Sequence, residues 1–211
     1  VSDTGVVPAG EPSVSRRMAD DLFQGRDFAL APTLARRVTD YPAVLPAPQS
    51  LQNFDPLTAV PDVRPDAFFD PGYTSTLLAM MQAVIDAEAP VRGDVLARRI
   101  ARAHGWAKTG SRILERVMAV AAGSFTLAIE GDHTFVWPQG ADTSHCPHFR
   151  HFAGAIPRPV DEIALPELAA LAREVKAEGH EGEAALMAMA KAVGLQKVSQ
   201  KGRERLMLVL L

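Results

Sequence analysis

Displaced by 89 positions, the sequence meets itself: Gly105, Lys108, Glu115, Arg116, Met118 and Val120 fall on Gly194, Lys197, Glu204, Arg205, Met207 and Val209. Ala101 and Ala103 fall on Ala190 and Ala192, while the segments further upstream align only after a gap of about two residues. A period this long is a duplicated domain and not a solenoid, whose repeats run to about 20–50 residues. The chain has 211 residues, so it is constrained to two related units, each with a small core of its own.

Apolar spacing supplies the elements of the first unit. Leu77, Leu78, Met81, Val84 and Ile85 form an i, i+3/i+4, i+7 stripe over Thr74–Glu88, which predicts an amphipathic helix ended by Pro90. Asp94 caps a second helix running to about His104, with Val95, Leu96, Ile100 and Ala103 inward and Gly105 as its stop. A third helix opens at Ser111 with Thr109 or Ser111 as its cap, carries Ile113, Leu114, Val117, Met118 and Ala121, and stops at Gly123. Strict alternation over 125–129 and again over 134–137, around Glu130-Gly131-Asp132, predicts a β-hairpin. Three helices followed by a hairpin is the order of a winged helix-turn-helix. The second unit repeats the helices over 165–178, 181–193 and 200–211 and stops where the first begins its hairpin. The expected fold is therefore mainly α with a small β-hairpin: tandem winged helix-turn-helix-like units, the second lacking its wing. Because the chain opens on Val1 and closes at Leu211 without that wing, it is expected to be a segment of a longer protein.

Prolines set the remaining boundaries, since ten of the sixteen lie in residues 1–72 and their fixed φ and missing N–H exclude long helices there. Residues 1–70 read as a proline-rich arm, with short helices at 13–24 and 33–41, that lies on a neighbouring surface. The first unit is expected over 71–139, a linker over 140–160 and the second unit over 161–211. Phe68, Phe69 and Tyr73 are expected to staple the arm to the first unit, and Phe149 and Phe152 to anchor the linker. Trp106 reads as packing between the second and third helices, and Asp86 with Glu88 as a surface pair.

Net charge is −3, which excludes a uniformly basic nucleic-acid coat. Its distribution says more. Residues 1–70 carry −4, whereas residues 92–116 carry +5: Arg92, Arg98, Arg99, Arg102, Lys108, Arg112 and Arg116 stand against Asp94 and Glu115. Those positions lie on the second helix, the turn and the front of the third helix, which in a winged helix face phosphates and groove. Arginine suits bidentate contact with phosphate or carboxylate. Arg98, Arg99, Arg102, Lys108, Ser111, Arg112 and Arg116 are therefore the candidate DNA contacts, with the hairpin near Asp132 and His133 approaching a groove. The same arginines equally suit a solvated helix face or an acidic protein surface. The second unit, with seven basic and eight acidic residues in 160–211, is expected to grip more weakly.

Other chemistry is sparse. His145, Cys146, His148 and His151 offer four soft ligands in one short run, which His133 or Asp132 could supplement. Zinc sites usually draw two separated pairs around a tetrahedron, so a His-rich linker is the simpler reading and no metal is expected. The segment 105–111 departs from a phosphate-binding loop because Lys108 precedes Gly110 and no strand leads into it. No nucleophile elbow, His-Glu-x-x-His or paired-cysteine motif occurs, so neither catalysis nor a cofactor is expected of this segment. One cysteine and no signal peptide fit a reducing, cytoplasmic location, and the apolar runs are too short to span a bilayer.

Phe69-Asp-Pro-Gly-Tyr73, the run 94–105 from Asp94 to Gly105, Lys108-Thr-Gly-Ser-Arg-Ile113, Phe135-Val-Trp-Pro138 and the run 160–168 resemble the domain-of-unknown-function 3320 family, over about residues 65–205. That family sits near the C-terminus of large bacterial proteins combining a superfamily I helicase-type ATPase with a very-short-patch-repair-like nuclease. The resemblance implies a non-catalytic accessory module of a DNA-processing or defence machine, one that binds or positions DNA beside other domains of its parent. It supplies no catalytic residue. In the second unit Val198-Ser-Gln replaces the Thr-Gly-Ser of the first, a departure at the turn. The alternative function is a protein–protein or intramolecular docking module without nucleic-acid contact.

Overall fold

Three prolines each open a 3₁₀ turn, because a residue with fixed φ and no N–H fits the first position of a helical turn. These turns are Pro56–Thr58, Pro65–Ala67 and Pro71–Tyr73, the first capped by Asp55, whose carboxylate accepts the Leu57 amide at 3.0 Å. The computed structural model describes residues 54–151 and 158–210. The helices expected at 13–24 and 33–41, and Phe152, lie outside them.

The turns lead into helix α1 (Thr74–Glu88), strand β1 (Val91–Arg92), α2 (Gly93–Ala103), α3 (Ser111–Ala122) and the hairpin β2 (Thr126–Glu130) and β3 (His133–Trp137). Helices α4 (Leu165–Ala177), α5 (Gly182–Ala192) and α6 (Gln200–Met207) follow a further 3₁₀ turn at Val160–Glu162. The described chain is mainly helical with one small antiparallel sheet of order β1-β3-β2. β1, which the alternation did not reveal, pairs Val91 with Val136 and Arg92 with Phe135. Two residues are too short to show a period of two.

Alternation along β3 divides the interior. Val136 joins the first core with Leu77, Met80, Met81, Leu96, Ile100 and Val117. Its neighbours Phe135 and Trp137 point the other way, into a cluster with Cys146 and Ala164. β3 is thus covered on both faces, the second by residues that include Ala164 at the entry to α4. A separate core gathers Leu168, Leu171, Val175, Met189, Val193 and Leu206 around Phe149.

The two repeats match in detail. α2 and α5 coincide at the 89-residue shift. Gly105 and Gly194 both end their helices at φ +81°, a left-handed conformation in which a side chain would be strained. The amides of Trp106 and Leu195 return to the carbonyls of Ala101 and Ala190. Along the first helices the buried positions align two residues later: Leu77, Met80, Met81 and Val84 take the places of Leu168, Leu171, Ala172 and Val175. That is the gap noted in the sequence, and α4 absorbs it by ending earlier. The third helices begin differently. Ser199 caps α6 by accepting the Gly202 amide at 3.1 Å, whereas α3 has Gly110 at the cap position and no side-chain cap, from Thr109 or from Ser111.

Candidate nucleic-acid interface

Phe68 organises the end of α2 and the turn after it. Its ring is fully buried and meets Phe69, His104 and Trp106 edge-on, with centroids at 5.1, 4.9 and 4.9 Å. Trp106 stacks on His104, so it packs on this aromatic cluster at the base of the turn. Tyr73 is buried beside them, while Phe69 remains 43% exposed. His104 is fixed at both nitrogens: Nδ1 donates to the Ile100 carbonyl at 2.7 Å, so Nε2 accepts from the Tyr73 hydroxyl at 3.1 Å. Tyr73 in turn accepts the Arg64 amide at 2.9 Å.

Burial lowers the His104 pKa below its ordinary value, with the Ile100 hydrogen bond opposing the shift. The unfolded chain then binds the proton more tightly than the folded one. Stability from this source is complete above about pH 6.5 and is lost as pH falls below it. Thermal melts between about pH 8 and pH 5 are expected to show a falling midpoint for the native chain and a shallower fall for His104→Gln. Equal slopes would assign the acid sensitivity elsewhere.

Of the candidate cations, several are engaged within the protein. Arg98 donates to Glu162 at 2.9 Å, and Arg99 pairs with Glu88. Glu88 is 4% exposed and also accepts the Phe54 amide, so it is an interior ion-pair partner and not half of a surface pair with Asp86. Arg92, adjacent to the candidates, binds Asp94 and Asp161. Arg116 donates to the Asp70 carbonyl and to the Thr74 hydroxyl. Its counterpart Arg205 does a similar job, donating to the carbonyls of Val160 and Ile163. In both repeats the third helix uses an arginine to hold the entry to the first.

Arg102, Lys108, Ser111 and Arg112 are exposed, and none of these cations forms a salt bridge among the described residues. Arg112 lies over the Phe69 ring at 4.8 Å. At the 89-residue shift these three cations coincide with Lys191, Lys197 and Lys201, all exposed and likewise without a salt bridge among the described residues. By contrast Arg98 and Arg99 coincide with Met187 and Ala188. Arg98 and Arg99 thus have no basic counterpart in the second copy, whereas the cations without salt bridges recur in both. Exact identity in the sequence singled out only Lys108 and Lys197, because a match of charge between Arg and Lys does not count as one.

The hairpin end is docked. Glu130 accepts the Leu165 amide at 2.9 Å and the Arg205 guanidinium at 2.7 Å, and His133 borders a cavity shared with Lys197, Ser199 and Lys201. The residues flanking the turn, Glu130 and His133, therefore face the second repeat, while Gly131 and Asp132 are exposed.

In the His-rich run, Cys146 is buried with its thiol donating to the His148 carbonyl at 3.2 Å. Burial first, then the Glu167 charge, push that thiol up to about 11. His151 binds Glu174 at 2.7 Å, while His145 and His148 are exposed. No group of three or more His, Cys, Asp or Glu among the described residues converges as a metal site. No helix among them is long and apolar enough to cross a membrane.

Residues 66–115 are similar to a family described as a protein of unknown function, DUF3320. The match covers the entry to α1, the aromatic cluster and the front of α3. No curated protein and no solved structure gives a match to the chain.

Proposed function

We propose that the chain is a non-catalytic DNA-binding or DNA-positioning module, built from tandem winged helix-turn-helix-like units, within a bacterial DNA-processing protein of helicase or nuclease type. The observation that carries this reading is the recurrence of three exposed cations without salt-bridge partners at matched positions of both repeats: Arg102 with Lys191, Lys108 with Lys197, Arg112 with Lys201. Order α1-β1-α2-α3-β2-β3 supports the winged-helix assignment for the first repeat, with α3 as the presented helix. The N-terminus of α3 has no side-chain cap, so its first amides are available to a phosphate beside Lys108 and Arg112. Contact comes from the helix and turn, since Glu130 ties the hairpin to the second repeat.

Duplex binding followed by fluorescence anisotropy tests the reading. Three phosphate contacts predict a loss of about 40-fold in affinity between about 50 and 200 mM salt, and six a much larger one. The double variant Lys108→Glu/Arg112→Glu is expected to weaken binding and to reduce the salt slope by about two. Absence of binding at the lower salt, or an unchanged slope, would overturn the proposal. A docking function has support of its own: Arg92 with Asp161, Arg98 with Glu162 and Arg205 with Glu130 already join acid to base between repeats. In that reading the exposed cations meet an acidic protein surface, and duplex affinity is absent.

A further inference from the structure

Away from the exposed turn, a cavity of about 670 Å³ lies between α2 and the segment entering α4. That volume is within the range of about 300–1,000 Å³ typical of small-molecule sites. Six guanidinium groups line it: Arg92, Arg98, Arg99, Arg102, Arg150 and Arg158. Three carboxylates oppose them, Asp55, Glu88 and Glu162. The lining itself carries three more cations than anions, and Asp94, Asp161 and Glu167 meet Arg92, Arg150 and Arg158 from outside it.

Two guanidiniums retain unused capacity. Arg102 forms no salt bridge among the described residues. Arg150 spends Nε and Nη2 on Glu167 and the Pro90 carbonyl, but its Nη1 is buried with no hydrogen-bond partner. Leaving a charged donor buried and unsatisfied is costly, and an anionic oxygen is the group that relieves it. Val91, Val95 and Leu57 add an apolar wall. Planar, multiply donating arginines match the oxygens of a phosphate better than a single carboxylate.

We propose that this cleft binds a phosphomonoester carried by a nucleotide-sized ligand, the arginines holding the phosphate and the apolar wall receiving the attached group. The phosphate belongs either to a free nucleotide or to the 5′ end of a nucleic-acid strand; both present the same dianion. The site is separate from the recurring surface cations, with Arg102 alone standing in both.

Isothermal titration calorimetry of the full chain at low ionic strength tests this with AMP, adenosine and a trinucleotide bearing a 5′-phosphate or a 5′-hydroxyl. AMP is expected to bind at least tenfold more tightly than adenosine. Arg102→Gln, at the edge of the cleft and without a salt bridge among the described residues, is expected to weaken AMP at least tenfold with an unchanged thermal midpoint. Arg150→Lys, which keeps a cation beside Glu167, is expected to weaken it as well. Lys108→Glu/Arg112→Glu is expected to leave AMP affinity intact, which separates this site from the duplex surface. Tighter binding of the 5′-phosphorylated trinucleotide than of AMP supports the strand end; equal or weaker binding supports the free nucleotide. The proposal is overturned if AMP and the phosphorylated trinucleotide give no heat at millimolar concentration. It is equally overturned if adenosine matches AMP, or if Arg102→Gln leaves AMP affinity unchanged.

Discussion

Glu167→Ala is expected to destabilise the protein by about 3–5 kcal/mol, the loss usual when one member of a buried ion-pair cluster is removed. Glu167 is fully buried and accepts from Arg150 Nε and Nη2 at 3.0 Å each, and from Arg158 Nη1 and Nη2 at 3.1 and 2.6 Å. Truncation leaves two guanidiniums in the interior without their shared carboxylate. Burial works against the Glu167 charge, but Arg150 and Arg158 outweigh it and hold its carboxyl down to about 2, against an ordinary 4.5. The folded carboxyl is thus the stronger acid, so its contribution is complete above about pH 4.5 and is lost as pH falls toward about 2. Urea unfolding at neutral pH gives the first measurement, as a lower midpoint with an unchanged slope. Replacing all three residues by Leu together is expected to cost far less than Glu167→Ala alone, because no charge is then stranded. A loss under about 1 kcal/mol for Glu167→Ala would show that water reaches the two arginines.

Phe68→Ala is expected to cost about 3–5 kcal/mol as well, by a different route: a large side chain leaves a cavity that its neighbours fill only in part. Phe68 touches His104 and Trp106, which flank Gly105, and Lys108 lies two residues beyond Trp106. The substitution should therefore act on the turn as well as on stability. Duplex affinity is expected to fall even where the chain remains folded, while Phe68→Leu restores most of the stability. A Phe68→Ala protein with native melting and native duplex affinity would mean that the aromatic cluster does not position the turn. Phe68, which follows the Pro65–Ala67 turn, is in this sense part of the candidate interface, although it contributes no charge to it.

Local signals in the sequence reached as far as local physics extends. The stripe over Thr74–Glu88 defined α1 to its ends, because the apolar spacing and Pro90 are both near-neighbour effects. Gly105 marked the end of α2 for the same reason. β1 was invisible because its two residues owe their conformation to Val136 and Phe135, more than forty positions away. Charges were harder still. Arg98 and Arg102 look alike in the sequence, yet one meets Glu162 across 64 positions and the other forms no salt bridge among the described residues. Glu88 read as surface because it ends an amphipathic helix beside Asp86; the Phe54 amide and Arg99 draw it inside. Which cations are spent and which are available is a tertiary property. Comparison of the two repeats recovers it in part, since a position that stays basic as either Arg or Lys asks only for charge.

The ion pairs that join the repeats carry a consequence for how such a chain can change over generations. Arg205 needs Glu130, Arg92 needs Asp161, and Arg98 needs Glu162, so each copy holds the other's complement. Once a duplication has reached that stage the copies no longer drift independently. A charge reversal at 130 is not answered by a matching reversal at 205, because Glu130 also accepts the Leu165 amide and Arg205 also donates to the Val160 and Ile163 carbonyls; shuffling one copy into another chain strands its half of every pair. Two halves that began as the same sentence have become question and answer.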